Sequence, residues 1–205
     1  METQIFFADV SDIDYDFYFD LMPQDRQERT KKIRFEKDKK LSAGAWGLLQ
    51  KVLEINKIKN LKFYKNEHGK IYCDKENFYF NLSHSGSMVM CAVSEKEIGC
   101  DTEEIKQNNT KLSERFFTPG EQKAIKTDRD FYRIWTLKES FIKCLGTGLS
   151  TPLQSFEILL KNPPEINQKI NEKKYFFREF FVDENYCFSA CGEAEIPKEI
   201  TKIIL

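Results

Sequence analysis

The stretch Ile98-Gly99-Cys100-Asp101-Thr102-Glu103-Glu104 places two carboxylates two residues apart. On a β-strand, residues i and i+2 project from one face with Cα atoms about 6–7 Å apart. Asp101 and Glu103 would then repel each other unless a cation lay between them or one took a proton. An all-oxygen pair selects a hard ion, Mg²⁺ or Mn²⁺, and Mg²⁺ typically uses one or two carboxylates together with substrate phosphates. Taken alone, the pair is better read as solvated acids at an exposed strand end.

Further along, Phe131, Ile134, Trp135, Ile142 and Leu145 recur at helical spacing, with Lys138 inside the stripe. A lysine so placed either snorkels to water or meets a buried anion. Glu139 and Lys143, at i and i+4, read as a surface ion pair contributing about 0.3–0.5 kcal/mol. They read equally as a third metal carboxylate beside a phosphate-binding ammonium, and spacing does not choose. Phe80-Asn81-Leu82-Ser83-His84-Ser85-Gly86 reads as a strand running into a turn. That turn either presents N–H groups and a Ser83 hydroxyl to a phosphate or is simply capped by Ser83 or Ser85. The P-loop pattern and the G-x-S-x-G elbow are both absent.

The elements that must hold these residues can be placed coarsely. Pro23 stands at a helix start, and Leu41, Ala45, Leu48, Leu49, Val52 and Ile55 mark an apolar helical stripe. The sequence around Lys65–Lys70 reads as a turn with Gly69 at positive φ. Strand-like pieces follow at 78–82, 88–94 and 97–103, and residues 106–111 form the candidate linker. Thr118-Pro119-Gly120-Glu121 is a capping box with Pro at the first helical position. The helix bearing Glu139 and Lys143 is expected over about Phe131 to Leu145, ended by Gly146 and Gly148. Strands at 155–160, 174–182 and 186–191 close the chain, the last two joined by a turn at Asp183-Glu184-Asn185. Both halves read as helix first, then strands, consistent with a duplicated α+β unit divided into 1–105 and 106–205.

Composition narrows the classes. The 205 residues carry 32 Lys+Arg against 33 Asp+Glu, a net charge of −1, which argues against a generic nucleic-acid binder. Hydrophobic residues make up 40% and aromatics 14%, so the chain is neither disordered nor low-complexity. No apolar run reaches the roughly 20 residues of a membrane span, and the N-terminus lacks a secretory layout. The six cysteines lie mostly in apolar stretches without a C-x-x-C pair, as expected for reduced thiols in a cytoplasmic protein. Between Arg26 and Lys40 stand eight basic and three acidic residues, either a solvated helix face or an anion site.

The blocks GK at 69–70, FNLSHSG, IGCDTEEI, RFFTPGE and WTLKESFIKCLGTGLS, in this order and spacing, resemble the Sfp-type 4'-phosphopantetheinyl transferases from about Met22 to Ile158. The resemblance implies a pseudo-dimer of two similar α+β halves. It implies transfer of the phosphopantetheine arm of coenzyme A to a serine of an apo acyl or peptidyl carrier protein, with release of adenosine 3',5'-bisphosphate. Position by position, it implies that Asp101, Glu103 and Glu139 hold Mg²⁺ (or Mn²⁺), with Glu139 and Lys143 catalytic. It also implies that Arg26, Arg29, Lys70, Ser83, His84 and Lys143 bind coenzyme A, with Arg26, Arg29 and His84 near its 3'-phosphate. Here Gly69-Lys70 is followed by Ile71 where the family has Pro, and Leu41 replaces a basic residue common before Ser42. Glu139, a metal-bound water or another carboxylate such as Glu121 would take the serine proton. The expected protein is a cytoplasmic monomer that engages neither nucleic acid nor membrane. Two alternatives stay open: a Mg²⁺-dependent nucleotide pyrophosphate hydrolase, and a coenzyme- or carrier-binding module without turnover.

Overall fold

In the computed structural model the described residues are 1–107 and 110–205, with only the backbone described at Thr110 and Lys111. The linker expected at 106–111 therefore falls partly outside the described residues. The elements run β1 (Gln4–Asp9), α1 (Tyr15–Asp20), α2 (Gln24–Lys31), α3 (Glu36–Ile55), β2 (Phe63–Lys65), β3 (Ile71–Cys73), β4 (Tyr79–Ser85), β5 (Met88–Ser94) and β6 (Ile98–Glu104). They continue with α4 (Thr110–Phe116), α5 (Pro119–Ala124), α6 (Asp128–Leu145), β7 (Phe156–Leu159), β8 (Glu165–Gln168), β9 (Phe176–Phe180), β10 (Tyr186–Gly192) and β11 (Thr201–Lys202).

The fold is α+β and built twice. One sheet has the order β11-β1-β5-β4 and the other β6-β10-β9. In each, the first strand of the half pairs antiparallel with its last, and the last pairs with the one before it. Each half also contributes one long helix, α3 or α6, and one small hairpin, β2–β3 or β7–β8. Each half thus opens with a strand, not a helix. Strand β1 carries no sequence signal of its own, and the division expected at residue 105 falls after β6; in the topology β6 corresponds to β1 and starts the second half.

Side-chain alternation explains the layering. Along β1 and β5, Ile5, Phe7, Met88, Met90 and Ala92 point to one face and pack on Ile98, Cys100, Phe188 and Ala190 of the second sheet. Phe6, Ala8, Val89, Cys91 and Val93 point to the other and pack beneath α3 on Leu41, Ala45, Leu48, Leu49 and Val52. The two sheets thus lie face to face with a long helix outside each. Strands buried on both faces read as continuous apolar runs, which is why β5 is buried from end to end.

Helix α6 is fixed at both ends. A capping box joins Thr127 and Asp130 at its start, and Gly146 closes it in the left-handed region at φ 73°. Its Lys138 does meet a buried anion. The ammonium, fully excluded from solvent, lies 2.7 Å from Glu121 Oε1 and donates to the carbonyls of Leu153 and Phe156. Burial pulls this lysine down, and Glu121 opposes that pull. Glu121 is the closing residue of the predicted capping box at the start of α5, and it also accepts the Ile158 N–H. With its oxygens committed there, Glu121 is not free to act as a base.

No helix among the described residues is long and apolar enough to cross a membrane. All six cysteines are buried and free.

Candidate active site

The site lies where the outer edge of one sheet, β4, meets the outer edge of the other, β6. Gly99 sets its geometry. A Cβ there would collide with the Ser140 carbonyl oxygen and the Cys144 nitrogen, so only glycine lets the α6 backbone rest directly on β6. Asp101 and Glu103 follow on the same strand face, beneath the α6 turn that carries Glu139 and Lys143.

Asp101 sits in the middle of β6, only 3% exposed, not at a solvated strand end. Its Oδ1 lies 2.5 Å from Lys143 Nζ and accepts the Ser83 hydroxyl at 2.7 Å. Its Oδ2 is buried and, among the described residues, has no hydrogen-bond partner. Glu103 accepts the Ser85 hydroxyl at 2.7 Å. Burial and then the charge of Asp101 push the Glu103 carboxyl up. The same causes, in the same order, push Glu139 up to about 7, with Lys143 opposing. Burial would lower Lys143, but the charge and hydrogen bond of Asp101 outweigh it and its ammonium is held. Lys143 therefore pairs with Asp101, and the surface pair with Glu139 that helical spacing suggested is not the one formed.

Two cavities open on this seam and share Leu82, His84 and Lys143. One, about 310 Å³, is lined by Asp101, Glu103, Glu139, Ser83 and Trp135. The other, about 290 Å³, is lined by Arg26, His68, Lys70, Phe80 and Gly146. The first is an acidic chamber and the second a basic one. His84 presents surface to the cleft, yet its walls desolvate it; that burial, then Lys143 and Arg26, hold it below its ordinary value.

The basic residues predicted for the coenzyme divide by surroundings. Arg26 stacks over Trp46 with its guanidinium carbon 5.1 Å from the ring centroid and donates to the Ser42 carbonyl. Its Nε is buried without a partner among the described residues. Burial, then Arg29, pull it down to about 10, against Asp25. Arg29 instead pairs with Asp25 at 2.6 Å on the surface and lines a smaller neighbouring cavity with Arg26. Lys70 gives its protons to Glu97 at 2.5 Å and to the carbonyls of Ile98 and Cys144. Its ammonium is saturated by the protein, so it ties the β2–β3 turn to the end of α6 and walls the basic chamber without offering a free charge. Asn66 reinforces this tie by donating to the Gly146 carbonyl.

Ser83, His84 and Ser85 correct the sequence reading. They lie inside β4, and the turn is confined to Gly86-Ser87, with Gly86 at φ 64°. The Ser83 hydroxyl accepts from the Thr102 N–H and from Lys143 while donating to Asp101, so it is fully engaged. Sequence reasoning gave Asn81 and Ser85 no partner across the seam. The signal that could have found them is the period-two run of small polar residues at 81, 83 and 85.

The carboxylates suit a hard cation. Three carboxylates line one chamber, one buried oxygen of Asp101 is without a partner among the described residues, and burial and then the charge of Asp101 raise the other two carboxyls. As the side chains stand, no three acidic, histidine or cysteine groups among the described residues are gathered closely enough to ligate one ion. The Lys143 ammonium at Asp101 occupies part of that space.

Comparison with known proteins bears on the whole arrangement. Residues 97–191 match the family model of the 4'-phosphopantetheinyl transferase superfamily, and residues 9–96 match that of the 4'-phosphopantetheinyl transferase N-terminal region. A 4'-phosphopantetheinyl transferase of Bacillus subtilis is 36% identical over 141 residues, 64% of this chain and 63% of that protein. The 4'-phosphopantetheinyl transferase ffp of Bacillus subtilis is 34% identical over 160 residues, 73% of this chain and 71% of that protein. The 4'-phosphopantetheinyl transferase Sfp of Bacillus subtilis strain 168 is 32% identical over 154 residues, 70% of this chain and 69% of that protein. The chain belongs to the 4'-phosphopantetheinyl transferase family.

Proposed function

We propose that this protein transfers the 4'-phosphopantetheine arm of coenzyme A to a serine of an apo carrier protein, acyl or peptidyl, releasing adenosine 3',5'-bisphosphate. The observation that carries this reading is the pairing of a basic and an acidic chamber through His84 and Lys143. Coenzyme A has the matching division: a 3'-phosphorylated nucleoside for the basic side and a pyrophosphate whose charge needs a cation. Family membership supports the same activity.

Asp101, Glu103 and Glu139 would hold Mg²⁺, which when bound neutralises charge developing on the pyrophosphate. Lys143, which lines both chambers and whose ammonium Asp101 and Ser83 fix, would meet a phosphate there. Arg26 and His84 face the nucleoside side, and Arg29 lies one cavity further out. The carrier serine oxygen bonds to the β-phosphorus as the bond from that phosphorus to the bridging oxygen breaks. The bridging oxygen leaves with adenosine 3',5'-bisphosphate, and the serine proton passes to a base. Glu139, whose carboxyl burial and then the charge of Asp101 push up to about 7 when no cation is bound, is the group of this chain proposed to receive it.

The hydrolase alternative would pass the same phosphoryl group to water, giving free 4'-phosphopantetheine and adenosine 3',5'-bisphosphate; neither the family nor the relatives above carry such a name. Incubation with coenzyme A and Mg²⁺, with and without apo carrier, separates the readings by mass spectrometry. The account expects coenzyme A to persist until carrier is added, and the carrier then to gain one phosphopantetheine. Coenzyme A consumed without carrier would contradict it.

A further inference from the structure

The two sheets meet at their edges without a backbone ladder. Along β4, the side chains of Asn81, Ser83 and Ser85 accept the Cys100, Thr102 and Glu104 N–H groups of β6 at 2.9, 3.3 and 3.1 Å. Residues i, i+2 and i+4 of one strand thus satisfy alternate outward N–H groups of the other, an edge that would otherwise be left open.

The serines do more than close the seam. A hydroxyl has one proton and two lone pairs. Because the Glu104 N–H occupies a lone pair of Ser85, the hydroxyl rotor is restrained and its proton is directed to Glu103 Oε2 at 2.7 Å. We infer that Ser85 is a positioning residue, holding Glu103 in the orientation in which it ligates the divalent cation. The inference rests on the metal reading of Asp101, Glu103 and Glu139 given above. Glu103 is half-buried on a carboxylate-rich face, and a hydrogen bond from a fixed donor keeps it turned toward the chamber against repulsion from Asp101. Asn81 belongs to the same seam and also lines the basic chamber, but it touches no carboxylate across the seam, which makes it the internal control for metal affinity once coenzyme A is saturating.

The test uses the full chain with saturating coenzyme A and Mn²⁺ as the probe, free Mn²⁺ being read by electron paramagnetic resonance. Ser85→Ala should weaken Mn²⁺ about tenfold, the size typical for losing a partner that orients a metal ligand. Ser85→Thr, which keeps the hydroxyl, should restore affinity, and Ser85→Cys, whose thiol is a weak donor, should weaken Mn²⁺ as Ser85→Ala does. Coenzyme A binding without metal should stay within about twofold of wild type, since Ser85 does not line the basic chamber. Asn81→Ala should lower the melting temperature yet leave Mn²⁺ affinity unchanged. Wild-type Mn²⁺ affinity in both Ser85→Ala and Ser85→Cys, or equal weakening in Asn81→Ala, would overturn the positioning role while leaving the metal reading intact. A wild-type chain that binds no Mn²⁺ would overturn the metal reading and the positioning role together.

Discussion

Lys143 Nζ stands 2.5 Å from Asp101 Oδ1 although the two residues come from different elements, α6 and β6. The contact requires the helix to lie almost directly on the strand, and Gly99 makes that approach possible. Charge and packing are coupled here: the residue that permits the contact carries no functional group.

Gly99→Ala should therefore destabilise the fold by about 1–3 kcal/mol, because the added methyl meets backbone atoms of α6 that cannot rotate away. Chemical denaturation measures this. The same variant should lose transfer activity beyond what its unfolded fraction accounts for, since Glu139 and Lys143 move with the helix. A variant as stable and active as wild type would refute the close-approach argument.

Lys138→Met should cost about 3–5 kcal/mol, because it leaves the buried Glu121 charge without its cation. The Mg²⁺ concentration for half-maximal transfer should stay as in wild type among molecules that remain folded. A shift in that concentration would place Lys138 in the site instead of the core.

The sequence made the chemistry-bearing residues legible and the architecture only partly so. Asp101, Glu103, Glu139 and Lys143 stand out because carboxylates and lysines are conspicuous within apolar stretches, and the structure brings them to one chamber. The serines of β4 were misread as a turn because small polar residues favour turns in isolation. Here they lie on an edge strand and serve as rungs to another strand, a tertiary use that local propensity does not register. Strand β1 escaped notice because its two-sided burial gives a short unalternating run, QIFFAD, with no flanking hairpin signal. Lys70 illustrates the remaining gap: its position in the chain matched a ligand contact, but its ammonium is consumed by Glu97 and two carbonyls from other parts of the fold.

Arg26 and Arg29, alike in the sequence, should behave differently. Arg26→Ala should weaken coenzyme A by about tenfold or more while changing 3'-dephospho-coenzyme A little, as expected for loss of a charged phosphate contact worth about 1.5–3 kcal/mol. Arg29→Ala should have a smaller effect, its guanidinium being paired with Asp25 at the surface. Isothermal titration with both ligands checks this, and equal losses for the two ligands in Arg26→Ala would argue against a 3'-phosphate contact.

The raised Glu139 carboxyl has a consequence for metal-free protein. A folded-state value of about 7 against an ordinary 4.5 means that the folded protein holds this proton more tightly than the unfolded chain does. Its stabilising contribution is complete below about 4.5 and disappears as pH rises through about 7. Glu139→Gln should remove this part of the pH dependence in denaturation curves, and saturating Mg²⁺ with coenzyme A should suppress it in wild type. A pH profile identical in wild type and Glu139→Gln would contradict the assignment.

The most direct measurement is the intact mass of an apo carrier after incubation with coenzyme A and Mg²⁺, compared between wild type and Asp101→Asn. Asp101→Asn is close in size to the native side chain but removes the charge that faces Lys143 and the cation. The account predicts one added phosphopantetheine per carrier with wild type, stoichiometric release of adenosine 3',5'-bisphosphate, and a rate at least about a hundredfold lower in Asp101→Asn, since several kcal/mol of charge stabilisation is forfeited. A carrier left unmodified by wild type, or modified equally fast by Asp101→Asn, would contradict it.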